Sequence, residues 1–193
     1  MIEVRVHGRG GQGNVVAAYL LATAAIEHGW HALAFPAFGA ERRGAPVAAF
    51  VRMAEQSFRR RDQIAHPDFL IVQDDALLHV PGILAGLKPG GGILINSRRE
   101  ASTLDLPLDG DVRVQSLPAN ELAMEHLGRP LPNAPLLAAF LLLSGALPVD
   151  ALKQAYSGRF HGGTLDANLK LIDAAAQYVR AGAWQEGADA ASA

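Results

Sequence analysis

Apolar and polar residues alternate over residues 2–6, Ile-Glu-Val-Arg-Val, the period of a strand with one buried face. The period changes after a glycine-rich stretch at 8–13. Over residues 14–27, Val15, Val16, Tyr19, Leu20 and Ile26 fall largely on one helical face with alanines between them, and Gly29 supplies a C-terminal stop. A strand-like run at 31–38 is interrupted by Pro36, and residues 47–54 predict a third strand. Residues 56–61 read as a short edge pairing back, with Arg59, Arg60 and Arg61 at a solvated tip. Further strands are predicted at 69–73, 91–96 and 112–117. Asp74 and Asp75 stand where a helix over 77–87 would begin, which makes them capping residues. Pro81-Gly82 can split that helix, and residues 101–111 read as a surface loop.

The C-terminal third is helical in pattern, with helices at 118–127, 134–143, 147–156 and 165–179. Asn133, behind the breaker Leu131-Pro132, is placed to cap the second of these. His161 falls in a loop, Phe160-His161-Gly162-Gly163, with two glycines after it. A strand–loop–helix–strand opening predicts a parallel α/β sheet. The expected fold is a Rossmann-like open, mostly parallel twisted sheet flanked by helices, with a helical C-terminal part. One domain over 1–181 and a flexible tail over 182–193 complete the expectation.

Composition narrows the chemistry. The chain has 193 residues, half of them hydrophobic, and no cysteine. That excludes disulfides and thiolate-bound iron–sulfur clusters or zinc on this chain. The seven histidines are scattered without a metal-binding spacing. No apolar run reaches membrane-spanning length, and the N-terminus has no basic-then-apolar leader, so a cytoplasmic protein is expected. Residues 1–61 carry eight Arg against four Glu, +4, and the remainder carries nine cations against fifteen acids, −6. The positive third holds the glycine-rich stretch, which favours an anionic ligand there.

That stretch is Gly8-Arg9-Gly10-Gly11-Gln12-Gly13. Glycines between a strand and a helix let backbone N–H groups approach a phosphate, and the helix N-terminus adds partial positive charge. A nicotinamide site would also need a carboxylate at the end of the second strand, about 20 residues on, to hold the ribose. Residues 33–39 contain none. The second informative stretch is Glu41-Arg42-Arg43-Gly44-Ala45-Pro46, a polar turn between apolar strands. It is a candidate second wall of the anion site, or a contact surface for a partner chain. No nucleophile elbow or other self-contained catalytic set is present in the sequence.

Together these residues resemble the gamma subunit, or gamma domain, of the 2-oxoacid:ferredoxin (acceptor) oxidoreductases, in its pyruvate-type members. The doubled-glycine loop, followed some 28 residues later by Glu-Arg-Arg-Gly, carries the resemblance. Asn133 before a Leu/Ala helix and Asp166-Ala167-Asn168 in the last helix add to it more loosely. The resemblance implies a multi-subunit enzyme that oxidatively decarboxylates a 2-oxoacid to an acyl-coenzyme A. It implies thiamine diphosphate with Mg and [4Fe–4S] clusters in partner subunits of alpha, beta and ferredoxin-like delta type, and ferredoxin or NAD as acceptor. No nucleic-acid or membrane partner is implied.

By the same resemblance, the gamma part helps bind coenzyme A and hold the large subunits together. The site residues carried over are Gly8, Arg9, Gly10, Gly11, Gln12, Gly13, Glu41, Arg42, Arg43 and Gly44. In this reading the N–H groups of residues 10–13 meet the coenzyme's pyrophosphate. An arginine among Arg9, Arg42 and Arg43 reaches a phosphate, Gln12 orients the loop or bonds the ligand, and Glu41 pairs with an arginine. Other substrates of the same family, phenylglyoxylate, indolepyruvate or 2-oxoglutarate, stay open. So do a non-catalytic assembly module and an independent NADP-binding protein.

Overall fold

The structure, a computed structural model, describes residues 1–37, 44–108 and 110–185. Glu41, Arg42 and Arg43 lie outside the described residues. The chain runs β1 (Ile2–Arg9), α1 (Asn14–Glu27), β2 (His31–Pro36), β3 (Pro46–Ala54), β4 (Phe69–Val72), β5 (Gly92–Asn96) and β6 (Arg113–Leu117). Helices α2 (Ala119–Leu127), α3 (Asn133–Ser144), α4 (Val149–Arg159) and α5 (Gly162–Ala174) follow.

Six strands form one sheet in the order β2-β3-β1-β4-β5-β6. The pairs β1–β4, β4–β5 and β5–β6 are parallel. The opening unit differs from expectation: β3 inserts between β1 and β2 and runs antiparallel to both. Five of the six strands still point the same way, so the sheet is mostly parallel.

The alternation in β1 decides its two faces. Val4 and Val6 join Ile71 and Leu94 in a large core with residues of all five helices. Glu3, Arg5 and His7 point to the other face, where Leu70, Val72, Ile93 and Ile95 form a smaller core with Leu77 and Ile83. That second face is covered by a 3-10 turn at Asp75–His79 and irregular chain. α3 is apolar on every side because other helices and the sheet enclose it.

The polar side of β1 is paired. Arg52 is 0% exposed and donates from Nε to Glu3 Oε1 at 2.8 Å and from Nη1 to the Asp62 carbonyl at 2.6 Å. Lys88 Nζ bridges Asp68 at 2.8 Å and Glu3 at 3.4 Å.

Several local expectations change. Residues 56–61 are irregular rather than an edge strand. The helix foreseen at 77–87 is the short 3-10 turn followed by turns, with Gly82 and Gly86 at positive φ. Asp74 caps that turn as expected, accepting the Ala76 N–H at 3.0 Å. Asn133 is the first residue of α3 rather than its cap, and its side chain is engaged elsewhere. Residues 182–185, assigned to the tail by their composition, pack into the domain. Trp184 is buried and stacks on Phe69 with 5.6 Å between ring centroids. Among the described residues no helix is long and apolar enough to cross a membrane.

Candidate functional site

The chain leaving β1 turns into α1 on the helical face, while the chain leaving β4 passes to the opposite face. Between such strands a crevice opens at the carboxyl edge of the sheet. The glycine loop occupies that place. Gly11 and Gly13 have φ of +98° and +77°, a region L side chains rarely enter. A Cβ on Gly13 would sit 2.7 Å from Asn133 Nδ2, and one on Gly8 would sit 2.6 Å from Gln73 Oε1. Gly8 therefore serves close packing, Gly11 backbone conformation, and Gly13 both.

The loop's hydrogen bonds revise which of its N–H groups are available. Gly10 donates to the Ala45 carbonyl at 3.0 Å, and Gln12 donates to the Arg9 carbonyl at 3.0 Å. Both were expected to meet a phosphate. Gly11 and Gly13 have no backbone partner for their N–H among the described residues. α1 has no side-chain cap among the described residues and no acid in its first turn, so its first amides are also without a partner there. Gln12 Oε1 accepts the Arg9 N–H at 2.7 Å, so Gln12 orients the loop. Arg9 donates from Nε to Asp74 Oδ2 at 2.6 Å and from Nη1 to the Gly44 carbonyl at 3.2 Å. Its charge is thus largely spent within the protein.

The two sequence motifs meet here. Besides the Arg9 contact, Gly44 donates to the Gly10 carbonyl at 3.3 Å, so Gly44 and Ala45 lie against the loop. The positions of Glu41, Arg42 and Arg43 fall outside the described residues.

Beside the loop, a cleft of about 330 Å³ lies across the ends of β4 and β5, lined by Gln12, Asp74, Ser97, Arg99 and Asn120 among others. Its floor is a side-chain network. Asn96 Nδ2 donates to the Gln73 carbonyl at 2.9 Å, and Asn96 Oδ1 accepts the Asn120 N–H at 3.1 Å. Ser97 Oγ donates to Asp75 Oδ2 at 2.7 Å, and Arg98 pairs with Glu121. Gln73 and the packing role of Asn133 escaped the sequence reading. The available signal was a polar residue closing an apolar strand, Phe69 to Val72 followed by Gln73.

Beneath the loop's strand, His7 is buried on the second face. Burial pushes its pKa down to about 3, and the nearby Arg5 charge adds to the effect, so it is neutral at pH 7. Among the described residues no group of three or more His, Cys, Asp or Glu could hold a metal ion.

The architecture defines a class: an open α/β protein carrying a glycine-rich strand-to-helix loop at the carboxyl edge of its sheet. Comparison with known proteins makes the class specific. A family model described as pyruvate ferredoxin/flavodoxin oxidoreductase matches residues 3–178. Pyruvate synthase subunit PorC of Methanothermobacter thermautotrophicus is 43% identical over 162 residues, 84% of this chain and 87% of that one. The pyruvate/ketoisovalerate oxidoreductases common subunit gamma of Thermococcus kodakarensis is 38% identical over 91% of this chain and 95% of its own. The crystal structure of pyruvate oxidoreductase subunit PORC from Thermotoga maritima superposes with a TM-score of 0.81 at 32% identity, covering 94% of this chain and 98% of that one. The chain belongs to the pyruvate ferredoxin/flavodoxin oxidoreductase family, as a subunit of the gamma type. It is part of a 2-oxoacid oxidoreductase and lacks a full active site of its own.

Proposed function

We propose that this chain serves a coenzyme A-acylating 2-oxoacid:acceptor oxidoreductase by binding part of coenzyme A and by joining the larger subunits, with pyruvate as the 2-oxoacid. The observation that carries the reading is the pair of N–H groups at Gly11 and Gly13 that have no partner among the described residues, beside the start of α1, which has no side-chain cap among them. Backbone amides aimed outward at a helix N-terminus bind a pyrophosphate without any side-chain charge. Arg42 and Arg43, which directly precede Gly44 in the chain, supply cations for the remaining phosphates. A nicotinamide dinucleotide fits less well: β2 stands one strand away from β1, and its end has no carboxylate for a ribose.

The names of several relatives, pyruvate synthase and pyruvate oxidoreductase subunits, support pyruvate as the 2-oxoacid. One relative's gamma subunit is named as common to pyruvate and ketoisovalerate oxidoreductases. A subunit shared between two substrates does not select between them, so the 2-oxoacid is read in partner chains. Thiamine diphosphate and [4Fe–4S] clusters in those chains supply decarboxylation and electron transfer to ferredoxin. The present chain supplies binding and orientation.

The test uses the co-expressed complex. The double substitution Arg42→Ala/Arg43→Ala should raise the KM for coenzyme A about tenfold, the loss of roughly one charge-assisted bond. The KM for pyruvate should stay unchanged. An unchanged KM for coenzyme A would remove the phosphate role and leave the pair as an interface element.

A further inference from the structure

Gln73 immediately follows β4 and is 0% exposed. Its backbone ties three elements together: its N–H donates to the His7 carbonyl at 2.8 Å, and its carbonyl accepts from Asn96 Nδ2 at 2.9 Å. Its carboxamide lies under the glycine loop. Nε2 donates to Asn133 Oδ1 at 2.6 Å, while Oε1 is buried without a hydrogen-bond partner among the described residues.

An unpartnered oxygen at such a place needs a reason. Oε1 faces the side of Gly8 where a Cβ would sit 2.6 Å away, so it abuts a Gly8 Cα hydrogen. Asn133 Nδ2 stands in the same relation to Gly13, at 2.7 Å. The two linked amides therefore touch both ends of the loop, one at Gly8 and the other at Gly13.

We propose that the Gln73–Asn133 amide pair is the positioning element of the glycine loop. It sets the path of residues 8–13 from beneath and so fixes where the Gly11 and Gly13 N–H groups point. It does so from β4 and α3, two elements outside the loop's own strand and helix. The consequence for coenzyme A rests on the ligand assignment above; the consequence for the loop does not.

Two measurements on the co-expressed complex separate these. Hydrogen–deuterium exchange of peptides covering residues 8–14 reads the loop itself. Gln73→Met keeps the length and removes the amide, and should speed that exchange about tenfold. Asn133→Ala should do the same without altering the buried strand end. Exchanging the two residues, Gln73→Asn with Asn133→Gln, preserves the combined length of the pair and should restore slow exchange. Gln73→Met should also raise the KM for coenzyme A several-fold while the KM for the 2-oxoacid stays put. Loop exchange unchanged in both single variants, or not restored by the exchanged pair, overturns the proposal. Faster exchange with an unchanged KM for coenzyme A upholds the positioning role and refutes the placement of coenzyme A on this loop.

Discussion

Alanine at Gly13 and at Gly11 separates two costs that the loop combines. Both glycines have positive φ, so either alanine adopts the left-handed region at about 1–2 kcal/mol. The space around them differs. A Cβ at Gly11 meets nothing within 4 Å, whereas a Cβ at Gly13 falls 2.7 Å from Asn133 Nδ2. Asn133 cannot yield freely, because its Oδ1 holds the buried Gln73 Nε2 at 2.6 Å. Swinging it aside leaves that donor unpaired, which costs about 1–3 kcal/mol. Gly11→Ala should therefore destabilise by about 1–2 kcal/mol and Gly13→Ala by about 3 kcal/mol. At about 2–4 °C per kcal/mol for a chain of this size, Gly13→Ala lowers Tm by roughly 6–12 °C. Thermal melts of the purified variants, followed by circular dichroism, measure both. Equal losses at the two positions would refute the argument, since φ alone would then account for both glycines.

Substitutions at three further positions test the buried polar face and the loop's anchor. Burial pushes the Glu3 carboxyl up, but hydrogen bonds and charge from Arg52 and Lys88 outweigh it and leave the pKa below 4.5. Its stabilising contribution is present above the unfolded pKa and is lost as pH falls through the folded one. Glu3→Gln should flatten the acid limb of a stability profile below about pH 4.5, and Glu3→Ala should cost about 2 kcal/mol by leaving the buried Arg52 Nε without its acceptor while Asp62 keeps the other end of the guanidinium paired. An unaltered acid limb would show that the pair does not set acid stability. His7, held neutral with its pKa near 3, takes up a proton below about pH 6.5 only in the unfolded chain. Stability should thus fall by about 2 kcal/mol between pH 6.5 and pH 5, and His7→Gln should remove that slope in denaturant titrations; an equal slope would refute the assignment. Asp74 caps the 3-10 turn through Oδ1 and pairs with the half-buried Arg9 through Oδ2. Asp74→Ala should cost about 1 kcal/mol, while Asp74→Asn, which keeps a cap, should cost under about 0.5 kcal/mol; similar losses in both would mean that the ion pair dominates.

Much of the fold was readable because strand and helix periods differ. The alternation over residues 2–6 predicts a strand with one buried face, and the strand is there, but its polar side, Glu3, Arg5 and His7, is buried as well. Capping was readable at Asp74 because that interaction is local. Where a side chain's partner lies far away in sequence, local statistics mislead. Asn133 has the composition of a cap, yet its partner Gln73 is 60 residues away. Trp184 sits among small and polar residues that read as a tail, yet its ring packs on Phe69 in the core. The loop's glycines were legible as a motif, but not their separate duties. Those depend on which atoms of β4 and α3 stand behind each one.

The direction of β3 matters most for the site. Periodicity reports which residues of a strand are buried and is silent about the direction in which the strand runs. A strand parallel to β1 would start at the sheet's amino edge, opposite the glycine loop. A β3 of nine residues spans about 30 Å, and a parallel run would have left Gly44 and Ala45 about that far from Gly10. The antiparallel register instead sets Pro46 against Arg9 and Val47 against Gly8. The residues just before β3 are thereby delivered to the loop, where Gly44 and Ala45 bond both polar groups of the Gly10 backbone. The same strand displaces β2 from the neighbour position in which a dinucleotide site would place its ribose-binding acid. One reversed strand thus joins the two motifs and separates this loop from the nicotinamide-binding pattern that its glycines share.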